Sequence, residues 1–398
     1  MFEDGDCNTR ESIRIGILIP RSTGGGAEFV AHTWAQQLSS WGHDVLVINT
    51  IAESAETQYR RQILPASHLA RVSEIRRIVR RERLDVLVGM MPYFNLLAIL
   101  AGLSVLSGRP RIVVSGRNME FPSRTLHGWR YILKDWFARV LYPVADAFIA
   151  ISHPVAAEAI TRYRLRAESV FVVPNPALGK VGQISEPRRE LNVPEDSSSG
   201  VLNIVVPGRL VPQKRPETAL AVGVRLQVMG VLARVVYFGD GELREEMRTR
   251  AQELGVDAEF RGWVERWFDH CPSGSIVLLP SVTEGFGNVL VEAAARGVPV
   301  VVSSKCLGAA DALVPGVTGT LAMDDTVESF ASAVLSSRAM SGSVNLHARG
   351  WLERFSPENS TRLLLEVLQG KPLRVSRRTK SRSCGSSVDS IRHQHDSR

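Results

Sequence analysis

The 398-residue sequence predicts an α/β fold of two doubly wound, Rossmann-like domains facing a cleft. Three observations predict it. Short, almost unbroken apolar runs such as IRIGILI (13–19) and HDVLVIN (43–49) have the character of parallel strands covered on both faces. They alternate with helix-length segments, the order of β-α-β units. The pattern stops in GQISEPRRELNVPEDSSSG (182–200), a polar stretch rich in Pro, Ser and Gly, and then begins again.

In chain order, the first strand is followed by Gly24, Gly25 and Gly26, then by a helix from Ala27 to Trp41 that Gly42 ends. A glycine turn between strand and helix lets backbone approach a phosphate. It is not G-x-G-x-x-G, because Phe29 fills the third glycine position, and the second strand ends in Asn49 where an NAD site needs a carboxylate for the ribose. A dinucleotide oxidoreductase is thereby disfavoured. A basic helix covers 67–83, with strands at 85–90 and 111–115 around a helix at 95–107. The helix at 128–141 carries Trp129, Leu133, Trp136, Phe137 and Val140 on one apolar stripe beside Arg130, Lys134 and Arg139. Such a stripe fits core packing, the commoner use, or a membrane interface. Strands at 146–152 and 169–173 complete the first domain. After the linker come strand 203–206, helix 217–229, strand 234–238, helix 242–254 and strand 259–260. An amphipathic helix at 357–369 precedes a basic tail with too little apolar surface to fold. The expected division is a first domain 10–182, linker 183–200, second domain 201–350, a helix 351–370 returning to the first domain, and a disordered tail 371–398.

Composition sets limits. The chain is 44% hydrophobic, and its longest apolar run, Leu96–Leu106, is too short to span a bilayer. The acidic start MFEDGDCNTR does not read as a secretory leader. Four scattered cysteines lack disulfide or metal spacing, which fits a reducing cytoplasm, and no metal site is expected. Residues 1–182 carry 22 Lys and Arg against 16 Asp and Glu, a net of +6, whereas residues 183–370 carry 18 against 23, a net of −5. The cationic first half suits an anionic membrane surface or a phosphate-bearing acceptor, and equally an ordinary solvated face.

The most informative stretch is LLPSVTEGFGNVLVEAAARGVPVVVS (278–303): strand, glycine-containing loop, helix, strand. In open α/β sheets ligands bind at the carboxyl ends of such strands. Glu284 in the loop and Glu292 on the helix flank backbone N–H groups at a helix N-terminus. The amides suit a phosphate and the carboxylates suit sugar hydroxyls, although each carboxylate alone also fits a plain surface charge. Arg209 and Lys214, at the end of the second domain's first strand, would neutralise a diphosphate in the same crevice.

GRLVPQK (208–214), FGDGEL (238–243), FRGWVE (260–265) and PSVTEGFGNVLVEAAARGVPVV (280–301) resemble, in order and spacing, the donor domain of family four GT-B glycosyltransferases. GGGAEF (24–29), WGHDVLVI (41–48), DAFIAIS (146–152) and VVPNP (172–176) are similar to that family's first domain, so the resemblance covers about residues 13–369. It implies a retaining enzyme that moves a sugar from a UDP- or GDP-sugar to an acceptor hydroxyl, with a glycan or lipid-linked acceptor as partner. It implies neither metal nor cofactor, and no nucleic acid; the expected setting is the cytoplasm, with a peripheral contact to anionic membrane. Glu284 would hold donor-sugar hydroxyls, with Phe286, Gly287, Asn288 and Val289 contacting sugar or phosphate. Glu292 would accept from the ribose, Gly262–Val264 would face the base, and Gly25 and Gly26 would approach the diphosphate across the cleft. Arg209 and Lys214 would stabilise the leaving group. Many relatives carry a His after the strand matching 111–115, where this chain has SGRNME. Arg117 there has three open roles: donor phosphate, acceptor, or loop anchor. His127 and His153 are further candidates. A catalytically silent nucleotide-sugar-binding scaffold and a GT-B epimerase or phosphorylase are the competing classes.

Overall fold

The computed structural model describes residues 12–21, 25–52, 57–120, 129–182, 184, 200–340 and 344–371, excepting the side chains of 129–134 and 345–347. Gly24, His127, most of the 183–200 linker and the tail beyond 371 lie outside the described residues. The first half runs β1 (Arg14–Leu18), α1 (Gly26–Ser40), β2 (Asp44–Asn49), β3 (Arg60–Ile63), α2 (His68–Glu82), β4 (Val86–Met90), α3 (Pro92–Leu103), β5 (Arg111–Gly116), α4 (Trp129–Leu141), β6 (Ala147–Ala150), α5 (His153–Arg162), β7 (Val170–Val172) and α6 (Leu178–Val181). Its strands form one sheet in the order β3-β2-β1-β4-β5-β6-β7, and every pairing is parallel. The second half runs β8 (Leu202–Pro207), α7 (Glu217–Val228), β9 (Ala233–Phe238), α8 (Arg244–Leu254), β10 (Asp257–Phe260), β11 (Ile276–Leu279), α9 (Asn288–Ala295), β12 (Val300–Ser303), β13 (Gly319–Ala322), α10 (Val327–Arg338), α11 (Val344–Leu352) and α12 (Pro357–Leu368). Its sheet order is β10-β9-β8-β11-β12-β13, again all parallel. The doubly wound reading is therefore borne out in both halves.

Strand order reverses between β1 and β4 in the first sheet and between β8 and β11 in the second. Crevices open at the carboxyl ends of strands at such switch points. The segments leaving β1, β8 and β11 carry Gly25–Gly26, Gly208–Arg209 and the Glu284 loop, so topology delivers the three glycine-bearing turns to the strand ends where a ligand can lie.

The last helix returns to the first domain. Ser356 caps α12 by accepting from the Asn359 amide at 3.1 Å, and α12 packs on α1. There the buried Trp34 Nε1 donates to Ser360 Oγ at 2.9 Å, and that hydroxyl donates to the Pro174 carbonyl at 2.6 Å. Arg111 Nε reaches the Val367 carbonyl at 3.2 Å.

The described part of the α4 stripe faces outward; the side chains of Trp129 and Leu133 lie outside the described residues. Trp136, Phe137 and Val140 are 56%, 40% and 51% exposed, while Asp135 and Ala138 are buried. The reason is electrostatic: Asp135 is clasped by Arg162 Nε at 2.6 Å and Arg139 Nε at 3.2 Å, so an inward-facing carboxylate is satisfied and the aromatic pair stays outside. Among the described residues no helix is long and apolar enough to cross a membrane.

Candidate active site

The site grows from the turn between β11 and α9. Gly287 takes φ +87° as the residue before α9, a left-handed conformation that favours glycine, and no side chain caps the helix. The amides of its first turn therefore point toward the crevice with the positive end of the helix dipole behind them. The turn is braced from its own domain. Val282 N donates to the Gln213 carbonyl at 2.9 Å, and Gln213 Nε2 donates to the Thr283 carbonyl at 2.9 Å. This double tie brings the next residue, Lys214, into an ion pair with Glu284. Ser281 Oγ donates to the same Glu284 oxygen, Oε1, at 2.7 Å. Glu284 is largely buried and Lys214 about one-fifth exposed, so the pair sits at the wall of the crevice, not out in solvent. Gly308 packs so closely beneath that a Cβ there would lie 1.7 Å from the Glu284 carbonyl oxygen.

The first domain grips the same loop. Ser152 Oγ donates to the Gly285 carbonyl at 2.7 Å, and a Cβ on Gly285 would lie 2.4 Å from the Arg117 carbonyl. Asn175 Nδ2 donates to Asn288 Oδ1 at 2.8 Å, and Arg117 Nη2 donates to Asn175 Oδ1 at 3.1 Å. Gly26, at the start of α1, faces Asn288, whose Nδ2 would lie 3.8 Å from a Cβ at that glycine. The structure thus brings the α1 and α9 N-termini, one from each domain, to the same place, with Arg117 beside them. The Arg117 guanidinium lies 5.3 Å over the Trp34 ring, and its Nη1 is buried without a hydrogen-bond partner. Burial pulls its pKa down to about 9, against the opposing charge of Glu28. Of the roles open to Arg117, the anchoring contact is visible. Glu28 itself was missed from the sequence: its Oε2 would lie 2.4 Å from a Cβ on Gly25, within the first turn of α1.

Glu292 is more deeply placed. Only 2% exposed, it accepts from Trp267 Nε1 at 2.7 Å, and Lys180 Nζ stands 3.8 Å from its other oxygen. Neither partner was singled out from the sequence; Trp267 lies in a one-turn 3-10 segment and Lys180 in the four-residue α6, too short for either to show a pattern. Burial raises the carboxyl pKa, with Lys180 and Trp267 opposing. A raised value means that the folded chain holds this proton more tightly than the unfolded chain. Acidification through the window from the raised value down to the ordinary carboxylate value should therefore stabilise the wild type relative to Glu292→Gln. Melting temperatures of both proteins across pH check this, and parallel curves would place the burden elsewhere.

The remaining predicted residues are more dispersed. Arg209 is exposed and makes no ion pair or side-chain hydrogen bond among the described residues, so it is not drawn into the Lys214–Glu284 pair. Gly262 takes φ +72° in a bridge to Gly239, and Val264 packs partly buried against the core. Phe286 is buried against Phe355, ring centroids 5.3 Å apart, so only its backbone is available to a ligand. Val289 is half-buried in the first turn of α9. His153 pairs with Asp311 across the domains, Nδ1 to Oδ2 2.8 Å, which makes it a clasp.

Two Rossmann-like domains with this crevice between them define the GT-B architecture. Residues 24–177 match the model of Glycosyltransferase Family 4, and residues 202–337 match that of Glycosyl transferases group 1. An exopolysaccharide phosphotransferase of Streptomyces coelicolor is 32% identical over 209 residues, 50% of this chain but only 22% of that protein. An α-1,4-N-acetyl-D-galactosaminyltransferase of Campylobacter jejuni, named for a GalNAc-containing diNAcBac-PP-undecaprenol, is 25% identical over 75% of this chain and 81% of its own length. The crystal structure of Anabaena HepE in complex with UDP superposes with a TM-score of 0.70 at 18% identity, covering 90% of this chain and all of that one. The two matched stretches together span most of the sequence, and the chain belongs to the family four, group one glycosyltransferases.

Proposed function

We propose that this chain transfers a sugar from a UDP- or GDP-sugar to an acceptor hydroxyl with retention at the anomeric carbon, the acceptor being a lipid-linked glycan of cell-surface polysaccharide or lipopolysaccharide synthesis. The observation that carries the reading is the meeting of the α1 and α9 N-termini from opposite domains beside the Lys214–Glu284 pair. Helix N-termini suit a diphosphate, and a buried carboxylate suits sugar hydroxyls. In this reading Lys214, with Arg209 at the mouth, meets the negative charge that develops on the leaving diphosphate. Those cations supply the neutralisation, so the proposal calls for no metal ion. The donor phosphate itself takes the acceptor proton on the face that the leaving group vacates, which gives retention without a second carboxylate. Supporting the acceptor class, the Campylobacter relative is named for an undecaprenol-linked glycan.

A donor that binds only the folded state stabilises it, by about 2.7 kcal/mol at a hundred times its Kd. A thermal-shift panel of UDP- and GDP-sugars should therefore give a concentration-dependent rise for one nucleotide series. Transfer to a lipid-linked glycan, with the product's anomeric configuration read by NMR, should then match that of the donor. No shift with any nucleotide sugar, or an inverted product, would defeat the proposal.

A further inference from the structure

The contact between the two domains does not end at the crevice. Gly26 meets Asn288 where α1 and α9 begin, and one turn further along each helix stand Phe29 and Glu292. Between these two lies Lys180 of α6, which follows the last strand of the first sheet. Its Nζ is 4.9 Å over the Phe29 ring and 3.8 Å from Glu292 Oε1. The other carboxylate oxygen, Oε2, accepts from Trp267 Nε1 at 2.7 Å, which fixes the orientation of the group. Lys180 therefore stands too far for a hydrogen bond, yet close enough to offset the charge. Oε1 receives no hydrogen bond from any described residue, so its lone pairs are left for a ligand.

Lys180 is placed by backbone. Arg266 Nη1 donates to the Lys180 carbonyl at 2.8 Å, Arg296 Nη2 donates to the Val181 carbonyl at 3.2 Å, and both arginines pair with Asp269. From the first domain, a Cβ on Gly179 would lie 3.2 Å from both Phe29 Cζ and Pro357 Cγ, so α6 is wedged in place. Other charged groups on elements packed against α9 are engaged elsewhere. The two arginines serve Asp269 and α6, Asp311 pairs with His153, and Arg349 is exposed. Lys180 is the cation that faces Glu292 among the described residues.

We propose that Lys180 is a positioning residue for donor recognition: supplied by the first domain, it keeps Glu292 of the second as an ionised acceptor for a ribose hydroxyl of the donor nucleotide. This role rests on the transferase reading, and it makes ribose recognition depend on contact between the domains. A carboxylate this deep is otherwise driven to take up a proton, because burial penalises its charge. Protonation turns one acceptor into a donor and removes the charge assistance that strengthens a hydroxyl-to-carboxylate bond. Lys180 counters that without occupying the oxygen. A lysine in direct hydrogen bond would have filled the place of the hydroxyl.

Titration calorimetry of the full chain with UDP and GDP, each beside its 2′- and 3′-deoxy counterparts, tests this across pH. The phosphates titrate alike within a set, so the ribo-to-deoxy affinity ratio reports the ribose contact alone. Wild type should prefer the ribonucleotide, and the preference should fade as pH falls and the carboxyl protonates. In Lys180→Met the midpoint of that fade should rise by about one pH unit or more, with ribonucleotide affinity about tenfold weaker below it, the effect of losing an opposite charge at this range. Lys180→Arg should restore the wild-type midpoint, and Glu292→Gln should show none. In turnover, Lys180→Met should raise KM and spare kcat, as for a contact equal in ground and transition states. A purely structural lysine would change affinity without moving the midpoint. The idea fails if Lys180→Met keeps the wild-type midpoint, or if wild type binds ribo and deoxy forms equally at every pH. Both results leave the transferase reading standing, whereas failure of UDP and GDP alike to bind wild type would overturn that reading and this role with it.

Discussion

Replacing Lys214 by alanine is expected to lower kcat by about 10²–10³-fold, the effect of removing one preorganised partner of developing charge. The Lys214 ammonium is held by the Gln213 ties and by Glu284 itself, so it is positioned before any donor arrives. Arg209 is exposed and unpaired among the described residues, too free to substitute for it. The same variant also strands Glu284, whose buried carboxylate then keeps, among the described residues, only the Ser281 hydroxyl as a side-chain donor. An uncompensated buried charge of this kind costs about 2 kcal/mol, so a fall in melting temperature accompanies the loss of rate. The two effects separate in Lys214→Met/Glu284→Gln, where neither side chain is charged. Stability should recover toward wild type while transfer stays down by the same two to three orders. If turnover recovers along with stability, the pair is a structural brace and the catalytic role falls.

How much of this was legible in the sequence depended on whether a residue's partner is near it in the chain. The segment 278–303 could be read because local signals agree: an apolar strand, a glycine with positive φ and a helix that begins at Asn288, where expected. Strand β3, RRQI, could not, because an edge strand with exposed and half-buried side chains has no apolar signature. Helix α10 carries little signal either, its alanine- and serine-rich segment having weak periodicity. The α4 stripe was visible but its direction was not, since that was set by Arg162, on another helix, holding Asp135 inward. The site divides the same way. The Glu284–Glu292 spacing is local, but Trp267, Lys180 and Glu28 enter only when distant segments fold together. Lys214 was expected to face a diphosphate; that it is already paired with Glu284 is a tertiary fact.

The second large effect is expected at a residue with no side chain. Gly285→Ala should lower kcat/KM by about 10²-fold or more, the scale on which a small misplacement of a catalytic loop acts. The new methyl would lie 2.4 Å from the Arg117 carbonyl, 2.6 Å from Ile151 Cδ1 and 2.8 Å from Asn118 Cα. Two of these three are backbone, which cannot step aside as a flexible side chain tip can. The strain falls across the boundary between domains, so it is relieved by drawing the Glu284 loop away from the first domain. That movement breaks the Ser152–Gly285 bond and separates Asn288 from Asn175. Gly308→Ala is the contrasting case. Its methyl would lie 1.7 Å from the Glu284 carbonyl within a single domain, where no domain motion relieves it. It should lower the melting temperature of the second domain, whereas Gly285→Ala should leave both domains folded and increase the radius of gyration in X-ray scattering. Donor affinity, read by thermal shift, should survive better in Gly285→Ala than transfer does, because Lys214 and Glu284 remain paired. Wild-type kcat/KM in Gly285→Ala would show that contact between the domains at this loop is not needed for the reaction.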